Sequence, residues 1–313
     1  MALQTRPLLT RKFENAEDFI PPPRSVLVTG NSPEERSKYS SDWISKFVDV
    51  SLWSIEEQTQ SHIRLAGNTQ EIQLRSEKQL AAFWADAGRR TLLIDITGLA
   101  HHVWAPLLRA ALATGRQVKV IYTEPFDYTF SKAPTEGEIF DLSERITGIA
   151  PLPGFTSLAE EDEDRICFIP LLGFEGTRFA YVLEEVQPPG GKIVPIIGMP
   201  GFRPEYPFHS FQGNTLPLRQ TAAWKNVRFA IANCPFSLLY ALEDVASDYP
   251  LDLLKIAPIG TKPHALGAVL FALTTRRRVE LVYDHPVRKA TRTSGKNRLL
   301  VYHVSALFFS TAA

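Results

Sequence analysis

The chain has 313 residues, 44% hydrophobic and 11% aromatic, enough for two domains of ordinary size with filled cores. Its 34 basic and 34 acidic residues cancel, which argues against a protein that coats nucleic acid through a global basic field and leaves only a local basic patch to consider. The two cysteines, Cys167 and Cys234, form no C-x-x-C pair and show no zinc-ligand spacing, which excludes a disulfide-dense scaffold and offers no metal site.

In chain order, residues 1–23 read as an N-terminal arm. They carry Arg6, Arg11 and Lys12 without the apolar run of a signal peptide, and they end in Pro21-Pro22-Pro23, which continues neither a helix nor a central strand. A first Rossmann-like lobe is expected over 24–128. Ser25 to Thr29 is a buried strand stopped by Gly30-Asn31-Ser32-Pro33. Glu34, Glu35 and Arg36 open a helix to about Phe47 as a solvated first turn. Val48 to Ile55 reads as strand, 63–65 and 72–74 alternate, and Glu77 to Ala87 reads as helix. Thr91 to Ile96 is the continuous apolar strand of a parallel sheet buried on both faces. The loop Thr97 to His102, a helix to Thr114, the stop at Gly115 and the strand Val118 to Tyr122 complete the lobe.

Residues 129–164, with scattered Pro and Gly and the acidic run Glu160 to Asp164, are expected to be a solvated interlobe connection. The strand–helix alternation then restarts, and 165–313 is expected to be a second Rossmann-like lobe holding the ligand site. Its strands are 166–172 (where Cys167 is a buried structural thiol), 192–197, 226–233, 253–259, 279–283 and 299–304. Its helices follow Gly173, Phe236 and Ala265, and Gly198 to Gln220 is left irregular. The expected class is α/β, two tandem Rossmann-like lobes with mostly parallel sheets. No apolar stretch approaches the roughly 20 residues of a membrane span, so the expected compartment is the cytosol.

The halves repeat. Gly98 and His102 fall on Gly260 and His264 at one constant offset, and the next strands end in Tyr122-Thr123-Glu124-Pro125 and Tyr283-Asp284-His285-Pro286, one residue out of that register. Upstream, Gly30…Arg36 parallels Gly173…Arg178. A glycine, a histidine and a strand-end proline in the same order favour duplication over two chance βαβ units.

In such sheets ligands bind beyond the carboxyl ends of the strands, at helix N-termini. Three loops of the second half are candidates. Gly260, Thr261, Lys262 and His264 combine close backbone approach, a hydroxyl and a cation, a set suited to phosphate; the first half has Ala100 where Lys262 stands. Gly173, Glu175 and Arg178 form the second loop, where Arg178 either clamps a phosphate or pairs with a nearby glutamate. The third is Asp284-His285-Pro286 with Arg288, Lys289, Arg292, Lys296 and Arg298, a basic stretch that either takes a polyphosphate or RNA ends or is a flexible charged hairpin loop. Arg276-Arg277-Arg278 reads as cations at a helix end. Asp95, His101 and His102 lack a second carboxylate cluster or H-x-x-x-H, and a helix-start histidine there reads as a local cap or an interlobe contact. Asp284, with His285 or His264, is the acid–base candidate. The segment Gly198 to His209, rich in Pro, Gly and aromatics, suits a lid, a purine-stacking wall or an ordered interface loop. Walker A, G-x-G-x-x-G and G-x-S-x-G patterns are absent.

The strand followed by Gly260-Thr261-Lys262-Pro263, opening an alanine- and glycine-bearing helix, resembles the glycine–threonine–lysine loop of CRISPR-associated Rossmann-fold (CARF) ligand sensors. The resemblance covers mainly the last βαβ unit. It implies ligand contact at Gly260, Thr261 and Lys262, a cyclic-oligonucleotide class of ligand and dimer formation, although no effector domain accompanies it here. Three functions follow as expectations: a nucleotide- or phosphate-ligand sensor, standing alone or as a subunit of a prokaryotic defence complex; an enzyme acting on a nucleotide or phospho-sugar; and a non-catalytic scaffold binding a protein partner. A nucleotide ligand aside, no cofactor is expected.

Overall fold

The computed structural model describes residues 9–44, 46–135, 138–157 and 162–308. The chain forms two compact units, Met1–Phe126 with Gly295–Ala313, and Asp127–Ser294. The first unit contains β1 (Thr10–Phe13), β2 (Ser25–Gly30), α1 (Glu35–Ile44), β3 (Val50–Gln58), β4 (His62–Leu65), β5 (Glu71–Gln73), α2 (Glu77–Ala85), β6 (Thr91–Asp95), α3 (His101–Ala113) and β7 (Val118–Thr123). The second begins with five short strands: β8 (Asp127–Tyr128), β9 (Phe130–Thr135), β10 (Glu138–Phe140), β11 (Ser143–Ile146) and β12 (Ala150–Pro151). There follow β13 (Ile166–Leu172), α4 (Gly176–Val186), β14 (Ile196–Gly198), α5 (Tyr206–Gly213), α6 (Thr215–Gln220), β15 (Arg228–Ala230) and α7 (Pro235–Asp248). It closes with β16 (Leu253–Ala257), α8 (Lys262–Thr274), β17 (Val279–Tyr283), β18 (Pro286–Arg288) and β19 (Thr293–Ser294), and the chain returns to the first unit for β20 (Leu299–Tyr302).

Each unit is a doubly wound α/β lobe. The second sheet runs β12-β17-β16-β13-β14-β15, parallel throughout except for β12. Counting its parallel strands in chain order gives third, second, first, fourth, fifth, so the winding reverses between β13 and β16. The first sheet runs β1-β20-β7-β6-β2-β3-β4-β5, with a parallel centre β7-β6-β2-β3. Here the antiparallel hairpin β4–β5 stands where a third parallel strand would lie.

The cores are built from strands apolar on both faces. All six residues of β7 and all seven of β13 are buried, as parallel strands covered by helices on both sides require. Leu27, Trp43, Leu93, Ile121 and Val301 cluster in the first unit, and Phe168, Phe179, Val182, Ile197 and Ile259 in the second. Helix α8 is buried from Lys262 to Phe271, so it has no polar face to read as a period. It packs against α7 through Gly267, where a Cβ would come within 2.5 Å of Pro235 O.

Several boundaries differ from expectation. Part of the arm is a strand, β1, because β20 supplies its partner (Thr10↔Tyr302). For the same reason 299–302 belongs to the first unit rather than the second lobe: it pairs antiparallel with β7. The expected connection 129–164 is part of the second unit, its β11 and β12 pairing with β18 and β17. These strands are two to four residues long with distant partners, too short to carry a period. Of the acidic run, Glu160 and Glu161 lie outside the described residues, and Asp162 caps a 3-10 turn over Glu163–Arg165. Within 198–220, expected to be irregular, α5 and α6 form; Pro207 falls in a first turn, where its missing N–H costs nothing.

The likeness of the two units extends to detail. Arg116 donates to Trp84 O at the end of α2, and Arg277 donates to Ala246 O at 2.8 Å and Tyr249 O at 2.5 Å at the end of α7. Arg277 thus caps the preceding helix, not the one it follows in sequence. Among the described residues no helix is long and apolar enough to cross a membrane.

Candidate functional site

The site grows from β13 and β16, parallel neighbours where the winding reverses. Each strand leaves the sheet through glycine. A Cβ on Gly260 would lie 2.7 Å from Leu172 O and 2.9 Å from Leu171 O, and one on Gly173 would lie 3.0 Å from Ile259 O. The two loops therefore pass in backbone contact. Above them a cleft of about 80 Å³ opens at the carboxyl ends of the strands. Leu172, Gly173, Ile259 and Gly260 floor it, Gly198, Gly201, Phe202 and Ala232 wall one side, and Tyr206 and Ser210 of α5 overhang it. Tyr128, Leu142, Arg288 and Arg292 complete the rim. The N-cap residues of α4 and α8, Glu175 and Thr261, line its edge, so both helices begin there with their positive dipole ends.

Arg178 and Glu175 line the cleft, but both are already engaged. The Arg178 guanidinium donates two bonds of 2.7 Å to the Asp284 carboxylate and a third of 2.8 Å to Ile259 O, 6.0 Å from the Tyr283 ring centroid. Burial alone would depress its pKa; the charge and hydrogen bonds of Asp284 outweigh that and hold it above the usual arginine value. Asp284 is fully buried. Glu175 accepts from the N–H groups of Leu142 (3.1 Å) and Ser143 (2.8 Å) and from Ser143 Oγ (2.9 Å), so it pins the start of β11. Its own loop is fastened by Ser210 Oγ and Asn214 Nδ2, which donate to Gly173 O at 2.9 and 2.8 Å.

The glycine–threonine–lysine loop is only partly at the cleft. Gly260 and Thr261 line it, yet the Thr261 hydroxyl caps α8, accepting from His264 N and donating to Ala232 O at 2.8 Å. Lys262 is 5% exposed and does not line the cleft. His264 is fully buried beside Gly198, its Nε2 3.2 Å from Ile231 O, and burial lowers its pKa to about 4. His285 has φ 42°, is 8% exposed and stands edge-on to Tyr283. None of the three acid–base candidates Asp284, His285 and His264 lines the cleft, and Asp284 is neutralised by Arg178.

The cations at the cleft rim come from the β18–β19 segment. Arg288 reaches Tyr283 OH at 3.2 Å, and the Arg292 carbonyl accepts from Thr129 N, tying that segment to β8. Lys289 instead pairs with Asp141. An aromatic cluster lies beside these cations: Tyr128, Phe174 and Tyr206 meet edge to face at 5.2–5.7 Å, and Phe140 stacks on Phe174 at 4.3 Å. Tyr206 OH donates to Asp127, itself paired with Arg203; burial first, then that bond, raises the tyrosine pKa. On the other side of Glu175 and Arg178 is a second cavity of 420 Å³, lined by Asp141, Glu144 and Arg145 among others. The aromatic lining had no sequence signal, because Tyr128 and Tyr206 lie on elements set by distant pairing.

The equivalent place in the first unit is filled. A Cβ on Gly98 would lie 2.2 Å from Gly30 O, and one on Gly30 would lie 2.5 Å from Leu99 Cδ2. Gln58, at the end of β3, donates to Gly98 O at 3.2 Å and accepts from Ala100 N at 2.9 Å. Glu34 and Arg36, expected in a solvated turn, are buried together: Arg36 pairs with Glu34 at 2.8 Å, donates to Thr123 O at 2.7 Å and lies 5.3 Å from the Tyr122 ring centroid. Only Glu35 of that turn is exposed. Asp95 accepts from Thr97 N at 2.8 Å, a turn bond, and His101 packs on Trp104. No protein-family model matches the chain, and no curated protein matches it in sequence.

Proposed function

We propose that the second unit is a receptor for a phosphate-bearing small molecule of the nucleotide class, bound in the cleft above Gly173 and Gly260. The observation that carries this reading is the convergence on one cleft of Arg288, Arg292, two helix N-termini and an aromatic cluster. Arginines and helix ends suit an oxyanion; aromatic faces suit a base or another planar ring. Arg178 is matched by Asp284, so Arg288 and Arg292 are the rim side chains placed to meet an anionic group. A sensing role on the CARF pattern, in a cytosolic defence complex or alone, fits a cleft that Asp284, His285 and His264 do not line. Lys262, buried, acts on such a ligand only indirectly, and Gly260 makes the close approach.

The test is calorimetric titration of the full chain with AMP, ATP and a cyclic dinucleotide. Arg288→Ala with Arg292→Ala removes two charge-assisted contacts and weakens binding by about tenfold or more for each. Equal affinity in wild type and the double variant would sink the assignment.

A further inference from the structure

We propose that the first unit carries a separate oxyanion site, formed by Lys119, His303 and Arg11 at the amino-terminal end of β7, that accepts a phosphoryl group. The two sheets differ at one cross-strand pair. In the second unit Lys255 of β16 stands opposite Glu280 of β17, and the two form a buried ion pair at 3.8 Å, with Glu280 also accepting from Ser157 N. In the first unit the corresponding cross-strand pair is Leu93 opposite Lys119. A leucine replaces the lysine and a lysine replaces the glutamate, so the carboxylate is gone and a cation occupies its place.

Lys119 is 9% exposed, and among the described residues no carboxylate pairs with it. What surrounds it is basic. The ladder Tyr302↔Val120 puts His303 next to Lys119, and His303 N donates to Leu9 O, two residues before Arg11 on the edge strand. His303 Nε2 is buried with no hydrogen-bond partner among the described residues. Arg11 is exposed, its guanidinium 5.0 Å from the Phe13 ring centroid. Burial and then Arg11 lower the Lys119 pKa; burial, then Lys119 and Arg11, lower that of His303.

The strand register thus places Lys119, His303 and Arg11 on one face of the sheet, close enough for each cation to act on its neighbours. Positive groups held close on one face repel one another, and a bound anion relieves that repulsion. A tetrahedral phosphoryl group takes hydrogen bonds from an ammonium, an imidazole and a guanidinium at once. The exposed Arg11 marks the way in. Inorganic phosphate and a phosphomonoester share this chemistry.

Thermal unfolding of the full chain with inorganic phosphate, and separately with 5′-AMP, tests the site. It is run in wild type, Lys119→Met and the Arg288→Ala/Arg292→Ala variant, which disables the second-unit cleft. Phosphate or 5′-AMP raises Tm in wild type and in the double-arginine variant. A response to phosphate alone identifies the free ion, and a response to 5′-AMP alone identifies a phosphomonoester. Lys119→Met raises the anion-free Tm by removing a charge that Arg11 repels, and it weakens the anion response by about tenfold in midpoint concentration. The His303 imidazole resonances move over the same concentration range. An undiminished response in Lys119→Met, no response in the double-arginine variant, or static His303 resonances would overturn the proposal.

Discussion

The two lobes bring the same parts to the same place and finish them differently. In both, glycines leave two adjacent parallel strands and a buried arginine lies near a strand-end tyrosine (Arg36 with Tyr122, Arg178 with Tyr283). The difference lies at the end of the neighbouring strand. β3 ends in Gln58, whose amide spans Gly98 O and Ala100 N and fills the crevice; β14 ends in Gly198, and the crevice stays open. One strand-end side chain separates a packed turn from a cleft. The lobe fold and the open crevice are therefore set by different residues: both units keep the fold, and only the second keeps a cleft at this place.

The comparison breaks most visibly at the buried arginines. Asp284→Ala strands the Arg178 guanidinium and should cost about 3–5 kcal/mol in urea unfolding. A loss under about 1 kcal/mol would mean that Arg178 turns into the cleft and is no counterpart of the packed Arg36.

A smaller effect comes from His264. Its folded pKa of about 4 lies below the roughly 6.5 of an unfolded histidine, so the unfolded state takes up the proton first. The stability it contributes is complete above about pH 6.5 and is lost as pH falls toward 4, about 3 kcal/mol at most. His264→Gln should flatten that part of the stability–pH curve; an unchanged slope would place the histidine in contact with water.

The smallest test is Gln58→Ala. It removes two hydrogen bonds and should destabilise the chain by about 1–2 kcal/mol without altering nucleotide binding to the second unit. A new binding event in calorimetry would show that this one residue keeps the first crevice shut.

The strands, the glycine turns and the order of the repeat were legible because apolar runs and turn residues are local signals. Partners were not. Arg178 and Asp284 are 106 residues apart, and nothing near either marks the pair. The Gly-Thr-Lys sequence invited a phosphate, yet Thr261 is needed as a helix cap and Lys262 is covered by the burial of α8. Arg36 read as surface charge because its neighbours are Glu34 and Glu35; burial of the first two residues depends on Thr123, far along the chain. Tyr128 and Tyr206 escaped because two-residue strands and short helices with proline carry no period.

The pairing of β8 with β19, Tyr128 against Thr293 and Asp127 against Ser294, has a consequence for synthesis. The second unit enters and leaves through adjacent strands, so it is an insertion with its own closed ends. The first unit, by contrast, cannot finish its sheet until β20 emerges, since both β7 and β1 pair with that strand. On the ribosome every strand of the inserted lobe has therefore been made before the strand that closes the host sheet, and until then the host presents an open sheet edge.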